Sequence, residues 1–436
     1  MKKTAQYILI LLSFILSTEA FSQVRYNPAP TPSFGGLGLI FFNGSADTSY
    51  ALPNNPANSN ENLEQRVIDV INHAKSSIDL AAFELNSLNI VVALCKAKER
   101  GIRVRIIFDD ESAPKNNENL WKVARGLLQN KYKIPILSDA GWPYVRSKQN
   151  FFKGYRAFMH NKFLVADYLS ADSTDDVVVT GSYNFTITGM VSMQNIVQVR
   201  SRAMAQAFTG EFETMWGSSN DQPDSLKAAF HQYKKQTSNA AINLSKNSRI
   251  EAYFAPMNKE RSRPNLLELV ADLISKEADY DIKICAFSFS TDVEIDQAIK
   301  EKFESKGLDV KAVFDKTGKT TYSLYSAMTM DPISRKPWSK KTEAYLARED
   351  RQLHHKYILI DAENPDKNDI PIVITGSFNF SKNANEVNDD NFLIIYDRAV
   401  ANQYLQEFYK RFNTAKKLFK EKMEAEGIEE GSNETD

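Results

Sequence analysis

Cysteine is scarce in this chain: Cys95 and Cys285 are the only two in 436 residues. Two thiols are too few for a disulfide framework or for a metal site built from cysteines. Each lies in an apolar periodic stretch, which favours two small buried side chains over a disulfide between them. A strong net charge is also missing, because 54 Lys and Arg residues against 55 Asp and Glu residues leave a formal charge of -1. No global field therefore points to a nucleic-acid partner.

Long hydrophobic runs are missing as well. The apolar run at residues 8–16 is well short of the roughly 20 residues that span a bilayer. It follows two lysines and precedes small residues that include Ala20 and Ser22, which is the layout of a secretory signal peptide. Residues 1–22 are therefore predicted to be a removable leader, and the product is predicted to be secreted or periplasmic.

The composition that is present is that of a globular protein, with 42% hydrophobic and 25% charged residues. It excludes wholesale disorder, a coiled coil and a collagen-like chain. In each half of the chain, a helical pattern, a strand-like run, a second helical pattern and a second strand-like run follow in that order. The strand-like runs lie at residues 77–83, 102–109, 281–287 and 308–315.

Strands that alternate with helices predict α/β layers with a partly parallel sheet. The repeat of the pattern predicts one domain written twice, and a duplication of this kind suggests a site shared between the halves. The predicted segments are domain 1 at 36–217, a linker at 218–248, domain 2 at 249–417 and an acidic tail at 418–436.

Each half carries one copy of the same motif downstream of its strand pattern. Both copies obey H-x-K-x-x-x-x-D, with the residues His160, Lys162 and Asp167 in the first and His354, Lys356 and Asp361 in the second. Each is followed by T-G-S-x-N-F-[ST], whose polar members are Ser182, Asn184, Ser377 and Asn379. Two full copies at the same place in a repeat are very hard to obtain by chance.

Strand geometry predicts how these side chains point. Residues i and i+2 of a strand face the same way, so His160 and Lys162 should project together, as should their counterparts in the second half. Asp167 and Asp361 lie at odd spacing and should point the other way, where they hold turns or neighbouring backbone. Two imidazoles and two ammonium groups, with hydroxyl and amide donors around them, describe a pocket for a tetrahedral anion.

Such a pocket suits phosphoryl transfer. Donors aimed at the phosphoryl oxygens stabilise the charge that develops there. A neutral histidine attacks phosphorus, and a protonated one donates to the leaving oxygen. The sequence has no matching carboxylate or cysteine cluster for a catalytic metal, so we expect a mechanism without a metal or a cofactor.

At these residues the sequence resembles the phospholipase D superfamily, whose hallmark is two H-x-K-x4-D motifs per active site. The resemblance covers roughly residues 36–417. It implies two α/β/α domains with mixed sheets, related by a pseudo-two-fold axis, and one active site at the seam of a monomer. It also implies a phosphohistidine intermediate and no metal. By the usual order of the motifs, His160 is the nucleophile and His354 is the general acid.

In many members of that family, an acidic residue 13 positions after the G-S serine orients a histidine through its other ring nitrogen. The count reaches Asp390 from Ser377, but it reaches Asn195 from Ser182. An asparagine accepts a hydrogen bond but cannot stabilise an imidazolium by charge. The two histidines are therefore predicted to be inequivalent.

The other three histidines are predicted to lie outside the chemistry. Strand parity turns His355 away from Lys356, which indicates a structural role. His73 and His231 lie on helical patterns outside the motifs, where surface or packing roles are expected.

The substrate is left open by two basic segments that lead into the motifs. Residues 142–158 hold four basic side chains, no acid and six aromatic rings, and residues 335–341 hold four basic side chains beside Trp338. This mixture suits a single-stranded nucleic acid, an anionic lipid interface, or a solvated loop at the edge of an aromatic core.

The exported context and the aromatic rings favour a secreted phospholipase D that hydrolyses phospholipid headgroups or transfers them to an alcohol. The alternative is a secreted, EDTA-resistant endonuclease that acts on nucleic acid. A binding module without catalysis is disfavoured because both motifs are complete.

Overall fold

The computed structural model describes residues 29–109, 118–139, 151–152, 155–234, 239–257, 265–291, 293–317, 319–334 and 336–426. The predicted leader at residues 1–22 lies outside the described residues. Thr31–Asp436 forms one compact unit.

Each half builds a sheet from strands that are mostly buried. The strands of the first half are β1 (Gly38–Phe42), β2 (Ser77–Ala82), β3 (Arg103–Phe108), β4 (Ile136–Ser138), β5 (Phe151–Phe152), β6 (Tyr155–Arg156), β7 (Lys162–Ala166), β8 (Val177–Gly181) and β9 (Asn195–Arg200). Those that follow are β10 (Ala240–Ser245), β11 (Ser248–Ala255), β12 (Asp281–Ala286), β13 (Asp309–Asp315), β14 (Glu343–Ala347), β15 (Lys356–Ile360), β16 (Ile372–Gly376) and β17 (Asp390–Tyr396).

The helices cover and separate the sheets. They are α1 (Leu63–His73), α2 (Leu88–Glu99), α3 (Glu118–Arg125), α4 (Ile187–Val191), α5 (Arg202–Trp216), α6 (Leu266–Glu277), α7 (Glu294–Glu301), α8 (Lys319–Met328), α9 (Lys382–Glu386) and α10 (Arg398–Ala425). Short 3₁₀ turns include His231–Tyr233.

Strands β5 and β6 form a separate two-stranded sheet, and the two large sheets repeat one topology. The first has the order β1-β9-β8-β7-β2-β3-β4 and the second has the order β10-β11-β17-β16-β15-β12-β13-β14. In each, three strands run parallel (β2, β3 and β4; β12, β13 and β14), and the remaining pairs are antiparallel. The predicted strand-like runs correspond to β2, β3, β12 and β13 to within one residue at either end. The predicted α/β fold with two mixed sheets is confirmed.

The hydrophobic core has three clusters. They lie between five layers, which are outer helices, the first sheet, central helices, the second sheet and outer helices. α1 and α2 cover the outer face of the first sheet, and α6 and α7 cover that of the second. The central cluster joins the inner faces of both sheets through side chains of α5 and α10, such as Phe208 and Tyr404. Since this cluster draws on both halves, each half buries its inner face against the other. Burial of aromatic rings on this scale stabilises the pairing strongly.

Two predicted boundaries differ from the structure. The predicted linker at 218–248 contains β10, which pairs with β11 and extends the second sheet. The predicted acidic tail at 418–436 begins inside α10, which continues to Ala425 because Phe419 packs on Tyr345, with ring centroids 5.6 Å apart. Residues 427–436 lie outside the described part.

Both cysteines are buried and unpaired, Cys95 in α2 and Cys285 in β12. This agrees with two small apolar side chains rather than a disulfide. Among the residues that the structure describes, no helix combines the length and the apolar character needed to cross a bilayer.

An aspartate ends the strand that follows each motif histidine. Asp167 and Asp361 have left-handed backbone conformations, with φ of 67° and 56°, which aspartate tolerates better than most residues. One carboxylate oxygen of Asp167 accepts hydrogen bonds from the backbone N–H groups of residues 75–77. Asp361 does the same for residues 279–281. Each aspartate therefore fixes the turn into β2 or β12, at the opposite end of its strand from the histidine.

Replacement of Asp361 by Ala should lower the free energy of unfolding by about 3 kcal/mol, because three backbone N–H groups lose a charged acceptor. Urea unfolding of the full chain measures this change. Asp350→Ala, which removes an exposed carboxylate between β14 and β15, is the matched control and should change it by less than about 0.5 kcal/mol. A loss for Asp361→Ala no larger than that of the control would contradict the turn-holding role.

Candidate active site

Backbone pairing across the seam brings the two motifs together. Met159, just before the first histidine, pairs with Asp389, and Leu353, just before the second, pairs with Met193. The N–H of Asp389 donates to the carbonyl of Phe158 at 2.9 Å, and the N–H of Met193 donates to the carbonyl of Gln352 at 2.7 Å. Each motif is thus held by the other half of the chain, and the contacts are reciprocal, as a two-fold relation requires.

His160 is oriented by a carboxylate from the second half. Its Nδ1 lies 2.7 Å from Oδ1 of Asp390, and the hydroxyl of Ser377 donates to the same oxygen at 2.6 Å. Because the carboxylate only accepts, Nδ1 carries the proton and Nε2 keeps its lone pair. His160 is 7% exposed, enough for Nε2 to meet a ligand from the pocket.

His354 is oriented by Gln194, whereas the count of 13 positions from Ser182 reaches Asn195. The distance from His354 Nδ1 to Gln194 Oε1 is 2.8 Å. Gly181 pairs with Ile196 and Gly376 pairs with Phe392, so the first half is one residue shorter between these partners. A count of 13 therefore overshoots in the first half. The sequence signal that identifies the correct partner is the asparagine before each apolar run, N-I-V and N-F-L. It aligns Asn195 with Asn391, and therefore Gln194 with Asp390.

Asn195 and Asn391 instead join the halves beneath the pocket. Asn195 Oδ1 lies 3.3 Å from Nδ1 of His355, and Asn391 Nδ2 donates to Oδ1 of Asn161 at 2.9 Å. The other nitrogen of His355, Nε2, lies 3.1 Å from Glu407. His355 is therefore a buried structural residue of the seam, in agreement with its strand parity.

Each lysine lies over a phenylalanine and beside its histidine. Lys162 Nζ donates to the carbonyl of His160 at 2.8 Å and lies 4.8 Å from the ring centroid of Phe83. In the second half, Lys356 lies 5.1 Å from Phe287 and donates to the carbonyl of its own histidine at 3.0 Å. These phenylalanines follow β2 and β12 directly and also pack on the imidazoles. They lie outside the two motifs, although they end the predicted strand-like runs.

The serines and asparagines after the glycines have different roles. Ser182 donates to Asn195 at 3.0 Å, and Ser377 donates to Asp390, so both hydroxyls support neighbouring side chains. Asn184 and Asn379 are half-buried, and the amide oxygen of each has no hydrogen-bond partner among the described residues. An amide oxygen accepts and does not donate, so the role of the two amides as donors to an anion stays a prediction, whereas the serines act behind the site.

Burial sets the protonation of the histidines. It lowers the pKa of His160 to about 4, although the carboxylate of Asp390 opposes the shift. Burial also lowers the pKa of His354 well below its ordinary value, and the charges of Lys356 and Lys162 lower it further. The partners of His354 Nδ1, the amide oxygen of Gln194 and the carbonyl of Ser182 at 3.2 Å, carry no charge, so they offset the shift less than the carboxylate does at His160.

The lysines experience the same desolvation. Burial lowers the pKa of Lys162 to about 8. It also lowers the pKa of Lys356 well below its ordinary value, and the charge of the neighbouring Lys162 lowers the pKa of Lys356 further. Burial would raise the pKa of Asp390, but its contacts with His160 and Lys162 outweigh burial and hold the pKa below its usual range. Glu84, which directly follows Phe83, has its pKa raised by burial and lies within the field of Lys162.

His231 belongs to a buried ion network, so of the two roles expected for it, surface or packing, the structure shows the buried one. It is 2% exposed, with Nδ1 2.9 Å from Asp389 Oδ2 and Nε2 3.5 Å from Asp139 Oδ2. Lys234 Nζ lies 2.9 Å from the other oxygen of Asp389. Burial would lower the pKa of His231, but the carboxylates raise it to about 10. The chain between the halves thus clamps Asp389, the residue next to Asp390.

One group of acidic side chains among the described residues has the spacing of a metal site. Oxygens of Asp279, Asp361 and Asp369 lie within 4.8 Å of one another. The group is at the turn end of β15, away from the histidines, and Asp361 already accepts three backbone hydrogen bonds there. It forms no part of the anion pocket.

The two basic segments are only partly visible. Most of residues 142–158 lie outside the described residues. In the second segment, Trp338 is buried against Phe303, with ring centroids 5.5 Å apart, so it belongs to the core rather than to a binding surface. Lys336, Lys340 and Lys341 are exposed.

The family model of the cardiolipin synthase, PLD-like domain, matches residues 67–216 and 271–412. The matches follow the two halves of the fold, and each contains one histidine motif. The chain therefore belongs to the phospholipase D superfamily and carries two PLD-like domains.

Curated relatives match over part of their length. Phospholipase D of Rickettsia prowazekii is 40% identical over 143 residues, which are 33% of this chain and 57% of that protein. Mitochondrial cardiolipin hydrolase of Drosophila melanogaster is 24% identical over 165 residues, 35% of this chain and 57% of that protein. The chain thus spans little more than half the length of these relatives.

A solved structure shows the likeness over most of the chain. Phosphatidylserine synthase of Haemophilus influenzae Rd KW20 has a TM-score of 0.54 at 14% identity and covers 80% of this chain and 83% of its own. At this identity the likeness concerns the fold alone.

Exchanging the partners of the histidines should exchange their basicity. Gln194→Glu should raise the pKa of His354 by about 1–3 because a carboxylate at Nδ1 favours the imidazolium. Asp390→Asn should lower the pKa of His160 further, because the carboxylate that opposes the shift at that ring is removed. Titration of labelled histidine rings by NMR measures both changes.

The two substitutions control for each other, since carboxylate and amide have nearly the same shape. A pKa of His160 that stays the same or rises in Asp390→Asn would contradict the assignment of the partners.

Proposed function

We propose that the chain is a secreted phospholipase D-type phosphodiesterase that hydrolyses the headgroup phosphodiester of phospholipids through a phosphohistidine. The observation that carries the proposal is the pair of oriented histidines, one on a carboxylate and one on an amide, held at one seam with two lysines. The names of the curated relatives, phospholipase D and mitochondrial cardiolipin hydrolase, support a phospholipid as the substrate.

The pocket is suited to one phosphodiester anion. Lys162 and Lys356 supply positive charge at a desolvated site, where it acts more strongly than in water. We propose the Nδ2 groups of Asn184 and Asn379 as further donors to the phosphoryl oxygens. With this donor set, the chain itself neutralises the phosphoryl oxygens.

In the first step, Nε2 of His160 attacks phosphorus while the bond from phosphorus to the headgroup oxygen breaks. The headgroup oxygen takes the proton of His354 and leaves as an alcohol. Asp390 supports the attack, because its hydrogen bond at Nδ1 raises the basicity of the ring and stabilises the positive charge that forms on it.

In the second step, water attacks phosphorus and gives a proton to His354, and the phosphorus–nitrogen bond breaks. Phosphatidate leaves and His160 is restored with its lone pair. An alcohol in place of water gives transfer of the phosphatidyl group by the same movements.

Substrate binding prepares His354 for its role as the acid. In the free site the lysine charges oppose protonation of His354. A bound phosphodiester offsets these charges and so raises the pKa of His354. The ring on Gln194 is then a proton donor that gives up its proton readily, since no carboxylate retains it.

Export is part of the proposal and is supported by the pattern of residues 1–22, two lysines, an apolar run and small residues. Secretion would place the enzyme where phospholipid of another cell or of the envelope is the accessible substrate.

The test is a panel of phospholipid micelles and DNA, with EDTA present throughout. We expect release of phosphatidate from mixed micelles, and a loss of at least about 10³-fold in His160→Ala and in His354→Ala, since each step needs both rings. His73→Ala, which removes an exposed histidine at the end of α1, is the matched control and should keep full activity.

A phosphodiester substrate with a good leaving group separates the two roles. His354→Ala should then complete the first step without its acid and accumulate a base-stable, acid-labile phosphoryl group on His160. Labelling of another residue, or cleavage of DNA with no phospholipid hydrolysed, would overturn the proposal.

A further inference from the structure

The short helix α4 exposes apolar side chains beside the site. Ile187, Met190 and Val191 are 46%, 38% and 62% exposed. They are three of the twelve large hydrophobic residues that are exposed in the described part of the chain, and they lie within five residues of one another. Such a cluster of exposed apolar side chains is typical of a surface that binds an apolar partner.

Two hydrogen bonds connect α4 to His354 through the side chain of Gln194. His354 Nδ1 contacts Gln194 Oε1, and Gln194 Nε2 donates to the carbonyl of Gly189 in α4 at 2.6 Å. Asn43 Nδ2 donates to the carbonyl of Met190 at 3.2 Å, and Thr186 caps the first turn. The backbone is held on several sides, so the exposed side chains are presented by a fixed frame.

The fold itself does not require apolar residues there. The counterpart α9 follows the second T-G-S-x-N-F segment as α4 follows the first. It has the sequence KNANE, with an exposed lysine and no large hydrophobic residue. The same turn therefore forms with polar side chains, so formation of the turn does not explain the apolar side chains of α4.

Positive charge borders these side chains. Arg351 Nε donates to the carbonyl of Val191 at 2.7 Å, which places the guanidinium at the end of α4. Apolar side chains beside a cation match a phospholipid surface, where acyl chains lie beneath anionic phosphates.

We propose that α4 is the interfacial contact of this protein, and that Ile187, Met190 and Val191 insert into the phospholipid surface from which the site takes its substrate. This inference rests on the proposed function, because it assigns the lipid surface as the partner of that site. The phosphodiester of a lipid lies at the level of the headgroups. A shallow contact beside His354 would therefore bring the reacting bond to the pocket without extraction of the whole lipid.

The test compares vesicles that contain anionic phospholipid with a short-chain phospholipid dissolved as monomers. Ile187→Glu combined with Val191→Glu should reduce both vesicle co-sedimentation and hydrolysis in vesicles about tenfold or more, because it removes apolar area and adds negative charge. Hydrolysis of the monomers should change less than about twofold. Leu226→Glu, at a site 80% exposed and outside both motifs, is the matched control and should alter neither.

Equal loss on vesicles and monomers in the α4 variant, or no loss on vesicles, would overturn the inference. Should the double variant fold poorly, Val191→Ser alone should still weaken vesicle binding with monomer hydrolysis preserved. Vesicle binding that depends on α4, in a protein that hydrolyses no phospholipid, would uphold the contact and reject the proposed activity. Hydrolysis of phospholipid with vesicle binding independent of α4 would do the reverse.

Discussion

The hydrogen bond between Asp390 and His160 is the contact on which the rest of the site depends. It joins a carboxylate of the second half to an imidazole of the first at 2.7 Å, and the reciprocal contact joins Gln194 to His354 at 2.8 Å. Neither half holds an oriented histidine by itself. The large shared core between the sheets therefore has a chemical consequence, because it sets the distance between each ring and its partner. The duplicated fold therefore forms a single site, because each half supplies the partner of the other half's histidine.

That arrangement brings the ammonium groups of Lys162 and Lys356 into a desolvated pocket in which their charge is only partly neutralised. Burial lowers the pKa of both motif lysines, and each opposes protonation of the nearby rings. Asp390 is the one carboxylate hydrogen-bonded to a motif histidine among the described residues, and it is itself fixed by Ser377 and neighbours the clamped Asp389. A phosphodiester anion would relieve this imbalance, so the electrostatic cost of folding the site is recovered when substrate binds.

Sequence patterns over a few residues predicted the features that depend on the geometry of a single strand. The i, i+2 spacing placed His160 with Lys162, and odd spacing placed Asp167 on a turn, because strand parity acts over a few residues. The partners were not predictable in this way. Gln194 was missed because the first half is one residue shorter before β9, and the pairing of His231 with Asp389 spans 158 positions. Strand β10 was absorbed into a predicted linker, since an edge strand with alternating exposure has little apolar signal.

The central claim is that two motifs form one anion site. Calorimetric titration with tungstate, a tetrahedral oxyanion, tests this claim without any assumption about the substrate. The account predicts one tungstate per chain, with binding abolished by His160→Ala and equally by His354→Ala. Two tungstates per chain, each lost with only one of the two histidines, would contradict it.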